Sequence, residues 1–386
     1  MASLAAKFTP EADRPATPAP AAASARALDW RALEAAGLRP QWDALAAAAT
    51  EPNPFHEAWY LLPALRALDP QGSVKLLAVE LDGALIGLLP LRHEARYYGR
   101  LIPQMCNWIH GNCFLGAPLV ASEHRHAFWR ALLDWADQQG GQSLFLHLAQ
   151  IPLDGPLHGA LQDVLAEQGR HAALVHREER ALLSSDLSPE AYFEASLSGK
   201  KRKELRRQTA RLAELGTLNF ERRTDAAHLD AWIEQFLALE HSGWKGTAGS
   251  ALASHHTTAD LFRAALTGAA AQGRLERLTL TLGDEPIAML VQFLAPPGAF
   301  SYKTAFDERF ARFSPGVLLQ RENLAILGHP GVAWCDSCAS ADHPMIDHIW
   351  RERRAIGRLS IAIGGPLRRA LFRQIARLET RRSQRP

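Results

Sequence analysis

The sequence predicts a mixed α/β protein of two tandem units, each a mixed sheet flanked by helices. Three observations carry this expectation. Stretches with apolar residues at helical spacing alternate with short apolar runs of strand length along most of the chain. At 386 residues the chain exceeds the ~250–300 at which a single core stops growing. Two hairpin segments, LLAVELDGALIGLLPL and RLTLTLGDEPIAMLVQF, each read as strand, Gly/Asp turn and second apolar strand, a weak internal repeat.

Residues 1–27 carry Pro and Ala throughout but no continuous apolar run, so a disordered leader is expected there, not a signal peptide. The first unit spans 28–186. Residues 74–92 form its hairpin around Asp82-Gly83, a turn that needs positive φ at the glycine. Strands and loops follow, then a helix over 123–141 stopped by glycine, a buried strand over 142–149, a helix over 157–169 and the extended run AALVHREERALLS.

The second unit spans 187–386. Its helices are expected over 196–216, 226–243 and 258–273, with the strand TLNFERR after the first. The second hairpin covers 274–295 and turns at Gly283–Pro286. Strand AFSYKTAF, helix PGVLLQRENLAILG, strand VAWCDSC, helix PMIDHIWRERRAIG, strand RLSIAIG and a basic helix close the chain.

A net charge of +2 excludes a globally steered nucleic-acid binder but leaves room for a local basic stripe. GKKRKELRRQTARL is one: a solvated face, or a contact for a phosphate-bearing substrate, an anionic membrane or RNA, though without aromatics for base stacking. Four cysteines are too few for a disulfide framework, and the CxxC of Cys335 and Cys338 has no second ligand pair nearby. No metal site is expected there or at His255 and His256. No apolar run approaches the ~18 residues of a membrane span, so a cytoplasmic location is expected.

The join FSPGVLL has its own chemistry. Ser314 is placed to cap and Pro315 to begin a helix, leaving the N–H groups of Gly316, Val317 and Leu318 at its end. With Arg309 and Arg312 just upstream, such a terminus suits a phosphate or diphosphate. A plain capped helix accounts for the spacing equally well.

KKRKELRRQTARL, WKGTAGSAL, GRLERLTLTLGDEPIAMLVQF, YKTAFDERFARFSPGVLL and DSCASADHPMIDHIWRERR, in their order along the chain, resemble the CelD-like branch of the GNAT acetyltransferases. That branch is itself similar to the Fem aminoacyl transferases with tandem GNAT-like domains. The likeness covers about residues 190 to 364, the first half only by pattern, and the join departs from the usual Q/RxxGxG/A loop.

The resemblance implies an acyl-CoA-dependent N-acyltransferase, in which an amine of a small molecule or of a sugar or polysaccharide precursor attacks a thioester. It implies acyl-CoA contacts at Tyr302, Thr304, Ala305, Arg309, Arg312, Ser314, Gly316, Val317 and Leu318. Lys303 is the first catalytic candidate, as a cation beside a phosphate or oxyanion, with Asp307 and Asp336 as possible proton acceptors. Trp244 and Lys245 fall where the acceptor site is shaped, and His343 is expected to cap a following helix, with reach to the acceptor as the alternative. The alternatives are a Fem-like transferase using aminoacyl-tRNA, with the basic helix as RNA contact, and a non-catalytic scaffold in polysaccharide assembly.

Overall fold

Both hairpins form where their turn residues place them. Asp82 and Gly83 both take positive φ, 51° and 77°, so two strands return on each other through a two-residue turn. Gly283, at φ 58°, opens the second turn. A computed structural model describes residues 22–383 except 36, 342 and 344. Its strands are β1 (Ser24–Asp29), β2 (Lys75–Leu81), β3 (Ala84–Glu94), β4 (Gln104–Asn107), β5 (Leu119–Val120), β6 (Phe145–Pro152) and β7 (Ala172–Leu183) in the first half. The second half supplies β8 (Leu218–Arg223), β9 (Leu275–Leu282), β10 (Glu285–Ala295), β11 (Gly298–Phe306), β12 (Trp334–Asp336) and β13 (Glu352–Ala362).

The fold is mixed α/β, as expected, and the two halves share one 13-stranded sheet. Its order is β1-β2-β3-β4-β6-β13-β7-β12-β11-β10-β9-β8, with β5 paired to β3. Read from either end, the order repeats: an outer strand, a hairpin, a third strand, a fourth parallel to it, and an antiparallel strand beyond. The innermost strands are exchanged, because β13 lies against β6 while β7 lies against β12. Neither half completes its sheet without the other. One core cluster accordingly draws Phe55 and Tyr60 from the first half together with Phe293, Phe300 and Tyr302 from the second.

Two expectations need correction. PMIDHIWRERRAIG is not a helix: residues 345–349 are turns and β13 begins at Glu352. Its helix-forming composition is overridden because ladders on both edges, to β6 and β7, satisfy this backbone. The expected leader also reaches too far, since Ser24–Asp29 pairs with β2; residues 1–21 lie outside the described residues. Among the described residues no helix is long and apolar enough to cross a membrane.

Candidate active site

Parallel neighbours in this sheet diverge, and the two halves treat the divergence differently. In the second half β11 and β12 pair only over Gly298–Phe300 and Trp334–Asp336. Two features end the pairing. Tyr302 is the extra residue of a bulge against Val291 and Gln292 of β10, and Cys338 turns β12 away with a left-handed φ of 53°. The edge of β11 from Ser301 to Phe306 is therefore unpaired toward β12 and lines a cavity of about 610 Å³.

In the first half the corresponding gap is stitched shut. β4 and β6 pair only at Met105 and Cys106, and Asn107 then bridges the strands. Its amide donates to the carbonyls of Ala149 (2.8 Å) and Gly116 (3.0 Å) and accepts from the Ala149 N–H (2.8 Å). A side chain at Gly116 would collide with Ala149 O and with Asn107. Asn107→Ala is expected to cost about 1–3 kcal/mol, because buried backbone groups lose their partners; urea unfolding checks this.

Lys303 lies half-buried in the wall of the open cavity, with Nζ 5.1 Å from the Phe114 ring centroid and 5.5 Å from that of Tyr302. It makes no hydrogen bond or ion pair among the described residues. Burial, then the charge of Lys245, pulls its pKa down to about 8. Lys245 is itself held by Glu240 at 2.7 Å, and the other Glu240 oxygen accepts from Leu252 N. The Trp244 N–H donates to Glu308, leaving the indole 60% exposed at the cavity rim.

His343 also lines the cavity. Burial and Lys245 hold its pKa below the ordinary value, and its Nδ1 has no partner among the described residues. It caps the following turn with its carbonyl, which accepts from Ile346 N and Asp347 N, not with its ring.

The wall under Lys303 comes from the first half. Tyr60 donates to the carbonyl of Asn112 and lies 3.2 Å, hydroxyl to hydroxyl, from Tyr302. Arg180 Nη1 donates to the Phe114 carbonyl at 2.7 Å and fixes that loop.

The remaining sequence candidates separate into two groups. Tyr302, Thr304 and Ala305 line the cavity with Lys303, Trp244 and Lys245. Asp307 and Asp336 do not. Asp307 accepts from Arg309 N and pairs with the Arg309 guanidinium; burial pushes its carboxyl up, but Arg309 more than reverses this and holds it low. Asp336, fully buried, pairs with Arg180 (2.7 Å) and Arg354 (3.0 Å) and accepts from Cys338 N. Burial raises it and the two arginines hold it below its usual value. Both carboxylates are ionised and occupied, which makes them poor proton acceptors.

The helix end at the join also departs from expectation. Ser314 occupies the cap position with a left-handed φ of 55° and no side-chain cap, and its carbonyl already accepts from Val317 N and Leu318 N. Gly316 is buried, and a Cβ there would meet Met345 Sδ at 2.5 Å. Arg309 is paired with Asp307 and Glu285, while Arg312 lies over the Phe313 ring. Of the three expected donors, Val317 N and Leu318 N are therefore engaged, and Gly316 lies against the end of the Met345 side chain. Met345 lines both the main cavity and a smaller hollow of about 220 Å³ that Ser314, Val317 and Lys201 border.

Phe114 and Glu240 were not legible as site residues. One comes from the first half, and the other looks like any surface helix glutamate. Among the described residues no group of His, Cys, Asp or Glu is placed to hold a metal ion, and all four cysteines are free and buried.

The open slot belongs to an acyl-transfer fold. Residues 199–343 match the acetyltransferase (GNAT) domain family, so the chain carries a GNAT domain and is an acyltransferase. A comparison with curated proteins gave no match. Among solved structures the chain is similar to FemX, with TM-score 0.54 and 12% identity over 85% of this chain and 97% of that one. It is also similar to the C-terminal DUF2156 domain of a putative lysylphosphatidylglycerol synthetase from Agrobacterium fabrum, with TM-score 0.52 and 14% identity over 87% and 95%. A conserved protein of unknown function from Bacteroides thetaiotaomicron aligns with TM-score 0.53 and 11% identity over 84% and 97%. These likenesses show the fold.

Proposed function

We propose that the chain transfers an acyl group from a thioester donor, acyl-CoA, to the amine of a small molecule or of a sugar or polysaccharide precursor, as a CelD-like enzyme. The observation that carries this reading is the unpaired edge of β11 with Lys303, whose ammonium makes no hydrogen bond or ion pair among the described residues, beside a cavity of about 610 Å³. The donor carbonyl lies along that edge. The amine nitrogen attacks the carbonyl carbon, negative charge collects on the carbonyl oxygen, and Lys303 together with main-chain N–H groups stabilises it. Collapse breaks the carbon–sulfur bond and releases a thiolate. The proton lost by the amine passes to neutral His343 and on to the leaving sulfur. Trp244 and Lys245 border the acceptor end.

His343→Gln removes the proton acceptor and keeps a polar side chain. It is expected to lower kcat by about 10²–10⁴-fold, with partial rescue by added imidazole. Unchanged turnover in the variant assigns the proton to another group.

A second reading, transfer of an aminoacyl group from tRNA, is favoured by one specific observation: two of the three expected amide donors at the helix tip, Val317 N and Leu318 N, already bond to Ser314 O. The exposed cations Lys200, Lys201 and Lys203, on the helix Gly199–Ala213, would then meet RNA. Calorimetry with acetyl-CoA and longer acyl-CoAs, beside tRNA binding at several salt concentrations, decides between the donors. Acyl-CoA binding supports the first; salt-steep tRNA binding without CoA binding overturns it. The domain division at 186/187 belongs to the same proposal, as two GNAT-like units of which only the second keeps an open slot.

A further inference from the structure

Of the ten exposed large apolar side chains among the described residues, five lie on two segments that touch each other. The helix Pro366–Ser383 contributes three of them. Its inner face buries Phe372 and Ala376 in a small cluster with Phe145 and Val175. At 3.6 residues per turn Leu367, Leu371 and Leu378 fall within roughly 40° of one another, on the side away from that face. They are 89%, 49% and 65% exposed.

The loop between β3 and β4 contributes Tyr98 and Leu101, 59% and 74% exposed. It is rooted on the same helix: the Tyr97 hydroxyl donates to Glu379 at 2.6 Å, and the Tyr97 ring packs on Phe145, which packs on Phe372. The charge around these side chains is mainly positive, although Arg369 is paired with Asp137. The helix sequence holds six arginines and a single acid, Glu379, and that acid faces Tyr97. Arg96 and Arg100 of the loop and Arg373 of the helix are exposed.

Leucines projecting from an arginine-rich helix, beside an exposed tyrosine, match the chemistry of the headgroup–acyl boundary. A two-fold contact between copies would set the arginines against one another. We propose that this corner docks the chain on an anionic lipid surface, with the leucines and Tyr98 entering the boundary and the arginines meeting lipid phosphates. The docking does not depend on which donor the cavity takes.

The test is co-sedimentation of the full chain with phosphatidylcholine vesicles, with and without about one phosphatidylglycerol in three lipids. The parent is expected to sediment with the anionic vesicles and to be released by salt. Leu371→Gln combined with Leu378→Gln is expected to lower partitioning by about 10-fold or more. Arg100→Gln and Arg373→Gln are each expected to lower it by about fivefold. Circular dichroism melts should be unchanged, because these side chains face outward. Failure of the parent to sediment with anionic vesicles overturns the proposal, as does a leucine double variant that sediments like the parent. A parent that is dimeric by light scattering, made monomeric by the leucine substitutions and indifferent to vesicles, also overturns it and identifies the face as a contact between copies.

Discussion

Lys303→Met is expected to lower kcat by about 10²–10³-fold, the usual cost of removing one oxyanion partner, with a much smaller change in donor binding. The asymmetry follows from its place. Lys303 stands beside the strand edge where a carbonyl would lie, and its charge is most favourable when that oxygen becomes an anion. Methionine keeps the length and the contact with Phe114, so packing loss is a minor part of the effect. The pH dependence carries the sign. With a pKa pulled down to about 8, Lys303 is mainly protonated at neutral pH, and activity falls as pH rises through about 8. The acceptor amine and His343 must be deprotonated, which gives the ascending limb at lower pH. Lys303→Arg keeps its charge throughout and should lose the descending limb while retaining part of the rate. Release of free thiol from the bound acyl-CoA, followed from pH 6 to about 9.5 with a panel of amines, measures both limbs. A descending limb that persists in Lys303→Arg would refute the oxyanion role.

Asp336→Ala is expected to destabilise the protein by about 3–5 kcal/mol, because it strands two buried guanidinium groups without their shared anion. Asp336 joins Arg180 of β7 to Arg354 of β13, and Arg354 also pairs with Glu51. The network therefore ties the exchanged strands of both halves at the centre of the sheet. It also holds the cavity wall, since Arg180 carries the Phe114 carbonyl. The folded-state pKa of Asp336 lies below its ordinary value, so its contribution is fully present above the unfolded pKa near 4 and is lost as pH falls through the lower folded value. The stability gap between parent and variant, measured by urea unfolding, should be widest near neutrality and close in acid. A variant as stable as the parent at pH 7 would show that the pair's desolvation cost cancels its attraction.

Much of the site was legible in the chain. Tyr302, Lys303, Thr304 and Ala305 sit in one short apolar strand followed by the charged segment DERFAR before the Ser-Pro-Gly join, and Trp244 and Lys245 follow a glycine stop. All six line one cavity. The carboxylates were visible as residues but not as ion pairs. Asp307 is committed to Arg309, two positions away, and Asp336 to arginines 156 and 18 positions away. The join was legible as a helix start, yet the engagement of its donors by Ser314 O was not, nor was the approach of Met345 to Gly316 from a segment whose sequence favours helix.

The local sequence by itself determined the two hairpins, the glycine-stopped helices and the strand that bears Lys303, because turn φ, capping and apolar period are properties of neighbouring residues. Tertiary structure alone decided that β7 and β13 change places, that Asn107 closes one slot while Tyr302 and Cys338 open the other, and that Phe114 from the first half lies under the lysine of the second. Those outcomes depend on which backbone edges find partners across the sheet, and edge pairing is settled by residues far apart in the chain.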